Sequence, residues 1–346
     1  MEPPLKRPKH AQQLVLSAVL ADDYVKSIAL TEVFVCKIPD KSQISVMIKQ
    51  LNDKLPLPDL QHLKRCHKQQ IIIAKCTDIK HESIIKHLIK LGISVKNLDT
   101  VFEVKSVASK PVKLRWQFEE MNKIWPCNFH PNKYTETLYN ATLFTDYDLE
   151  KHLKYLKLAL RLSEEKFYVN VKEERGAVVV DPRNDLVVAV GYDLRHKNPV
   201  QHCCHVLVDN VAKSQNGGAW TRESLFDTDP STTTQLMDKS LNTNGVPDYF
   251  KDIILSLDDK YTIGSKLVGK PNNKEAPVGP YLCTGYDVYL THEPCVFCAM
   301  ALTHSRVSRV FYINENKSNG ALGSVLKLHT VKDLNHRFEV FKCDLN

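Results

Sequence analysis

The chain has 346 residues, 43% of them hydrophobic and 25% charged, which is ordinary globular composition and excludes fibrous, collagen-like and wholly disordered classes. No apolar run approaches the ~20 residues that a bilayer span requires, and Met1 to His10 is basic and Pro-rich, so a soluble intracellular protein is expected. The net charge of +7 is unevenly placed: residues 1–145 hold 22 Lys and Arg against 14 Asp and Glu, whereas residues 146–346 hold 25 against 26.

A basic first part joined to a neutral second part points to a polyanionic partner for the first, a solvated Lys-rich surface being the alternative. Within it, Thr31–Ile38 reads as a strand and Ser42–Lys54 as a helix with Ile44, Met47, Ile48 and Leu51 on one face. Leu60–Cys66 and Gln70–Cys76 read as paired strands, Glu82–Leu91 as a second helix, and Ile93–Val107 as a final β segment. The resulting β-α-β-β-α-β order is that of an α+β, ferredoxin-like domain over residues 1–109, a platform used for RNA and for much else. Residues 110–145 are expected to be a structured connector.

A new domain is expected over residues 146–346. Asp146–Glu164 carries Leu149, Leu153, Leu156 and Leu160 at helical spacing behind an acidic first turn. Gly176–Asp181 and Leu186–Tyr192 form a hairpin of buried strands, followed by a helix near Pro199–Lys213. A strand at Asp287–Thr291, a helix from Cys295 and a strand at Val307–Ile313 complete the pattern. The polar residues 214–280 are expected to be a long insertion, partly disordered.

Ten cysteines without a secretory signal suggest reduced thiols, some of them metal ligands. Cys295 and Cys298 stand three apart at the start of a helix, and His202 opens an earlier one just after Asn198-Pro199. Two thiolates and one imidazole supply three of the four tetrahedral positions of Zn2+. This arrangement, a hairpin, a helix opened by H-x-E, a strand and then P-C-x-x-C, is that of the zinc nucleoside and nucleobase deaminases, in which the Glu carries protons for a zinc-bound water. Here H-x-E reads His202-Cys203-Cys204, so the proton carrier is missing. Loss of such a group forfeits about 10²–10⁴ in rate, and little or no deaminase chemistry is expected from this chain. Glu293 stands on the approach to the motif and is rejected as a replacement.

The chain resembles a non-catalytic subunit family of the eukaryotic tRNA-specific adenosine deaminases, which convert the wobble adenosine of anticodons to inosine. The resemblance rests on Gln117-Phe118-Glu119-Glu120, Trp125-Pro126, Gly176 to Pro182, Asn198-Pro199, Tyr281 to Asp287, Glu293-Pro294-Cys295, Cys298 to Leu302, His304-Ser305-Arg306 and Asn335 to Phe338. It implies an α/β three-layer, cytidine-deaminase-like domain in which His202, Cys295 and Cys298 hold zinc and Cys204 replaces the catalytic Glu. It also implies a heterodimer with a catalytic subunit whose H-x-E is intact, and tRNA held by the N-terminal domain. Cys204 is a candidate fourth ligand, since Val is usual there. Candidate phosphate contacts are Lys64, Arg65, Lys68, Lys110, Lys113 and Arg115, while Trp116 and Phe118 suit packing against the deaminase core better than base stacking. A self-sufficient zinc deaminase and an RNA-binding protein with purely structural zinc are the alternatives. Lys6-Arg7-Pro8-Lys9 is a short basic run, and a nuclear and cytoplasmic location without membrane attachment is expected.

Overall fold

The computed structural model describes residues 14–165, 175–221, 240–266 and 281–345. The run Lys6-Arg7-Pro8-Lys9 lies outside them, as do residues 222–239 and 267–280 of the expected insertion. The chain divides into two compact units, Ala21–Thr137 and a second made of Met1–Leu20 with Leu138–Asn346. The expected boundary at 109/110 therefore moves to 137/138, and the first 20 residues join the second unit.

Ala21–Thr137 begins with the short helix α1 (Asp22–Val25) and then alternates β2 (Leu30–Lys37), α2 (Ile44–Lys54), β3 (Cys66–His67), β4 (Gln70–Lys75), α3 (Ile84–Lys90) and β5 (Phe102–Ala108). The four strands form an antiparallel sheet in the order β3-β4-β2-β5. Both faces of β2 are buried, because successive side chains point to opposite sides. Phe34 and Cys36 pack with Met47 and Leu51 of α2 and Ile84 and Leu88 of α3. Val33 and Val35 pack with Met121, Trp125 and Cys127. Those last residues belong to the expected connector, which instead forms α4 (Arg115–Ile124) and covers the second face of this sheet. Gln117 caps that helix by accepting from the Lys113 and Leu114 amides, at 2.9 and 3.3 Å, and donates to Asp23 and Lys26 carbonyls. The expected Leu60–Cys66 strand is reduced to Cys66–His67, since Pro58–Leu60 takes a helical turn that buries Leu60.

The second unit is a seven-stranded mixed sheet in the order β1-β11-β10-β9-β6-β7-β8. Its edge strand β1 (Leu14–Ala18) pairs antiparallel with β11 (Glu339–Leu345), which is why the N-terminal residues join the C-terminal unit. After α5 (Lys133–Tyr139), helix α6 (Asp146–Ser163) opens with a reciprocal cap: the Asp148 amide donates to Thr145 Oγ1 and the Thr145 amide to the Asp148 carboxylate. The central hairpin of β6 (Gly176–Asp181) and β7 (Leu186–Tyr192) is buried throughout. Val178 and Val180 face α6 and α8 (Asp248–Leu255), while Ala177 and Val179 face α7 (Cys203–Ser214) and α9 (Val296–His304). Helices on both faces of a sheet make three layers. Strands β9 (Asp287–His292), β10 (Arg309–Asn314) and β11 run parallel to one another.

The expected insertion is partly core. Val246, Phe250 and Ile254 are buried around α8, and β8 (Thr262–Ile263) pairs with β7. Among the described residues no helix is long and apolar enough to cross a membrane.

One buried titratable group makes this unit acid-sensitive. His152 lies among Phe144, Tyr289 and Phe311, with Nδ1 2.9 Å from Tyr289 Oη. Burial, aided by the charge of Arg309, pushes its pKa down to about 3. The unfolded chain protonates this imidazole near pH 6.5 and the folded one does not, so stability falls as pH drops below about 6.5, by about 1.4 kcal/mol per unit. Urea unfolding of the wild type at about pH 7 and about pH 5 should therefore lose ~2 kcal/mol more than a His152→Phe variant does. Equal losses would contradict this assignment.

Candidate metal centre

Two helix starts converge on one point. β7 leads into a loop closed by hydrogen bonds between Leu194 and Gln201 and between Asn198 and Leu194, which delivers His202 in extended conformation to cap α7. Gly191 lets α7 approach the strand, because a Cβ there would stand 2.7 Å from the Cys203 carbonyl oxygen. From the other side β9 ends in Glu293-Pro294 and places Cys295 as the cap of α9, with Cys298 in its first turn.

The ligand atoms of His202, Cys295 and Cys298 lie within 4.8 Å of one another, the one such group of His, Cys, Asp or Glu among the described residues. His202 Nδ1 is 3.6 Å from Cys295 Sγ. A tetrahedral zinc, about 2.3 Å from sulfur and about 2.0 Å from nitrogen, sets two such ligand atoms about 3.6 Å apart, so the donor set fits the ion in both type and spacing. The thiols hydrogen-bond to one another: contact with Cys298 and burial raise the Cys295 pKa, and contact with Cys204 raises that of Cys298. Two adjacent thiolates call for a cation between them.

Cys204 is brought to the site but not into the donor group. It is 4% exposed and touches the Cys298 thiol. The space bordered by Cys204, His202 and Cys298 is about 10 Å³, room for about one water and far too small for a nucleobase. A larger cavity of about 420 Å³ lies on the Cys295 side, lined by Arg175, Arg195, His202, Phe297 and the loop Asn316 to Gly320 among others. Apart from His202 and Phe297, these wall residues come from separated loops without a shared spacing, so sequence alone does not mark them. Cys203 is buried with its thiol donating to the Arg175 carbonyl, and the His205 ring stacks on Phe297 at 3.8 Å. Both are structural here.

The candidate RNA contacts separate into distinct kinds. Arg65 is committed to its own fold, donating to the Ile72, Ile73 and Leu55 carbonyls and to Asn52, and burial lowers its pKa to about 10. Lys110 is exposed and 3.8 Å from Asp23. Lys64, Lys68, Lys113 and Arg115 are exposed; the Arg115 amide donates to the Glu136 carboxylate at 2.7 Å, and no salt bridge holds the three lysines among the described residues. Lys68, Lys105 and Lys64 add their charges to the burial that lowers the His67 pKa, which marks a local positive field. Trp125 packs in the core and donates to the Lys64 carbonyl, and Phe118 stacks on Phe129 at 5.1 Å, so Phe118 does pack, but in the core of the Ala21–Thr137 unit and not against the deaminase core as expected.

The family described as the tRNA-specific adenosine deaminase TAD3 N-terminal domain matches residues 31–125. Over 361 residues the chain is 33% identical to a protein of Danio rerio named probable inactive tRNA-specific adenosine deaminase-like protein 3, with 99% of this chain and 96% of that one covered. The chain belongs to the tRNA-specific adenosine deaminase TAD3 family. A Homo sapiens member of the same name is 31% identical, covering 94% of this chain and 88% of its own length. The Schizosaccharomyces pombe member, named tRNA-specific adenosine deaminase subunit tad3, is 26% identical over 86% and 78%. The residues matched by the TAD3 N-terminal model all fall within the compact unit Ala21–Thr137.

Proposed function

We propose that this chain is the non-catalytic, tRNA-docking and structural subunit of a heterodimeric deaminase that converts the wobble adenosine of tRNA anticodons to inosine. The observation that carries the reading is a complete metal trio beside a residue 204 that cannot shuttle protons. Cys204 is buried against Cys298, with about 10 Å³ of space around it. A self-sufficient deaminase needs a carboxylate at that place to carry protons for the bound water.

In this reading Zn2+ is held by His202, Cys295 and Cys298, with Cys204 outside the ligand set. Bound zinc would supply a rigid cross-link between the starts of α7 and α9. The basic unit Ala21–Thr137, with 19 Lys and Arg against 13 Asp and Glu, supports a tRNA-docking role. Its β-α-β-β-α-β order and β3-β4-β2-β5 sheet support a ferredoxin-like platform. Reaching an anticodon base requires holding the whole tRNA through its phosphates while the loop base is splayed elsewhere, and that is a division of labour between two subunits. The partner is a deaminase with H-x-E intact. Val296, Phe297, Val325 and Leu326, each 44–55% exposed beside the metal centre, offer it an apolar face. Nuclear and cytoplasmic location follows from this role as part of the same proposal.

Mixing the chain with a catalytic deaminase subunit should give a one-to-one complex that forms wobble inosine, while the chain alone forms none. Turnover by the chain alone would overturn the reading. Placing Asp at both Val296 and Val325 should weaken the complex by about tenfold or more, measured by titration calorimetry, with zinc content unchanged. Wild-type affinity in that variant would move the interface elsewhere.

A further inference from the structure

Glu293 stands two residues before Cys295 and is fully buried. No Lys or Arg pairs with it among the described residues; its charge is held instead by a loop. The Asn316 amide (3.0 Å) and the Ser324 hydroxyl donate to Oε2, and the amides of Leu322 (3.0 Å) and Ser324 (2.9 Å) donate to Oε1. A carboxylate has about four acceptor sites, and four donors occupy them. Gly320 passes against the carboxylate so closely that a Cβ would stand 2.2 Å from Oε2. The same loop is joined to the metal centre twice, by the Gly320–Cys295 bridge and by the Ala321 amide donating to the Pro294 carbonyl at 2.9 Å. It also walls the cavity that reaches His202 and Cys295.

We infer that Glu293 is a positioning residue for the metal centre: by clamping loop 316–324 onto Pro294-Cys295, it fixes the direction from which Cys295 offers its sulfur. This rests on the zinc reading above. Glu293 does not face the metal and moves no proton; it acts through the backbone that carries Cys295. Gln at this position would aim an NH2 group at amide donors and open the clamp. Losing a partner that orients a metal ligand typically costs about 10–100-fold in affinity.

The test uses the full-length chain loaded with zinc and titrated with a chromophoric chelator. Glu293→Gln is expected to weaken zinc binding by about 10–100-fold, and Ser324→Ala, which removes one donor and serves if the first variant folds poorly, to weaken it less. The double variant should lose no more than Glu293→Gln alone, because both substitutions open one clamp. With Co2+ in place of zinc, the thiolate-to-cobalt absorption of Glu293→Gln should differ from the wild type, a change that lowered stability in a folded protein does not produce. A zinc-binding wild type together with folded variants of unchanged affinity and unchanged cobalt spectrum would overturn the clamp alone. A wild type that takes up no zinc would overturn the metal reading and this inference with it.

Discussion

Replacing Cys298 by Ser is expected to reduce the zinc content of the purified chain from about one ion per molecule to near zero and to destabilise its C-terminal unit. The thiol is 3% exposed and belongs to the only donor trio found among the described residues. A hydroxyl in its place stays protonated and ligates zinc poorly. The unit should nevertheless stay folded, because it has a core on each face of its sheet. The loss is then a linkage effect: an ion present at about a thousand times its Kd contributes about 4 kcal/mol. Wild-type protein in excess chelator should unfold at the same temperature as Cys298→Ser. Cys204→Ala should keep its zinc, since residue 204 stands outside the trio. Full zinc content in Cys298→Ser, or a wild type indifferent to chelator, would refute the assignment.

The second large effect concerns tRNA. Alanine at both Lys64 and Lys68 should lower affinity for tRNA and reduce the slope of log affinity against log salt by about two, close to one per phosphate contact removed. The two ammonium groups are exposed, and their charge is sensed at His67 between them in sequence. Arg65→Ala should behave in the opposite way, costing stability through four lost hydrogen bonds while leaving the salt slope unchanged. Fluorescence anisotropy across a salt series distinguishes them; an unchanged slope for the double variant would remove this patch from the RNA interface. Substitution is a cleaner approach than deleting the first 110 residues, because that deletion would also strip β1 from the seven-stranded sheet.

Local signals were legible where one element carries its own pattern. The Leu spacing of α6 and its acidic first turn define that helix, the continuous apolar runs of β6 and β7 announce strands buried on both faces, and the Cys295/Cys298 spacing with His202 locates the donor trio. What could not be read depends on partners far along the chain. Five residues, Leu14–Ala18, carry no mark of the strand they join more than 300 positions later. Helix α8 hides in a polar stretch because the core that Phe250 and Ile254 enter, with Tyr249, Ile253 and Leu255 packed beside them, is built by elements far along the chain. The chain after Pro111 looks like a connector because its helix covers a sheet face that only the folded unit presents. Arg65 reads as a surface cation in a basic run until its neighbours' carbonyls are seen to surround it. Glu293 follows the same rule, since its four donors lie 23 to 31 residues downstream.

The central claim is that this chain shapes and docks while its partner does the chemistry, and exchanging the two positions tests it most directly. In the reconstituted pair, wobble inosine formation should be abolished when the partner's H-x-E Glu is changed to Ala, and should stay within about twofold of wild type when Cys204 of this chain is changed to Ala. The reverse pattern, activity surviving the partner's substitution and lost with Cys204→Ala, would place the chemistry in this chain and contradict the account.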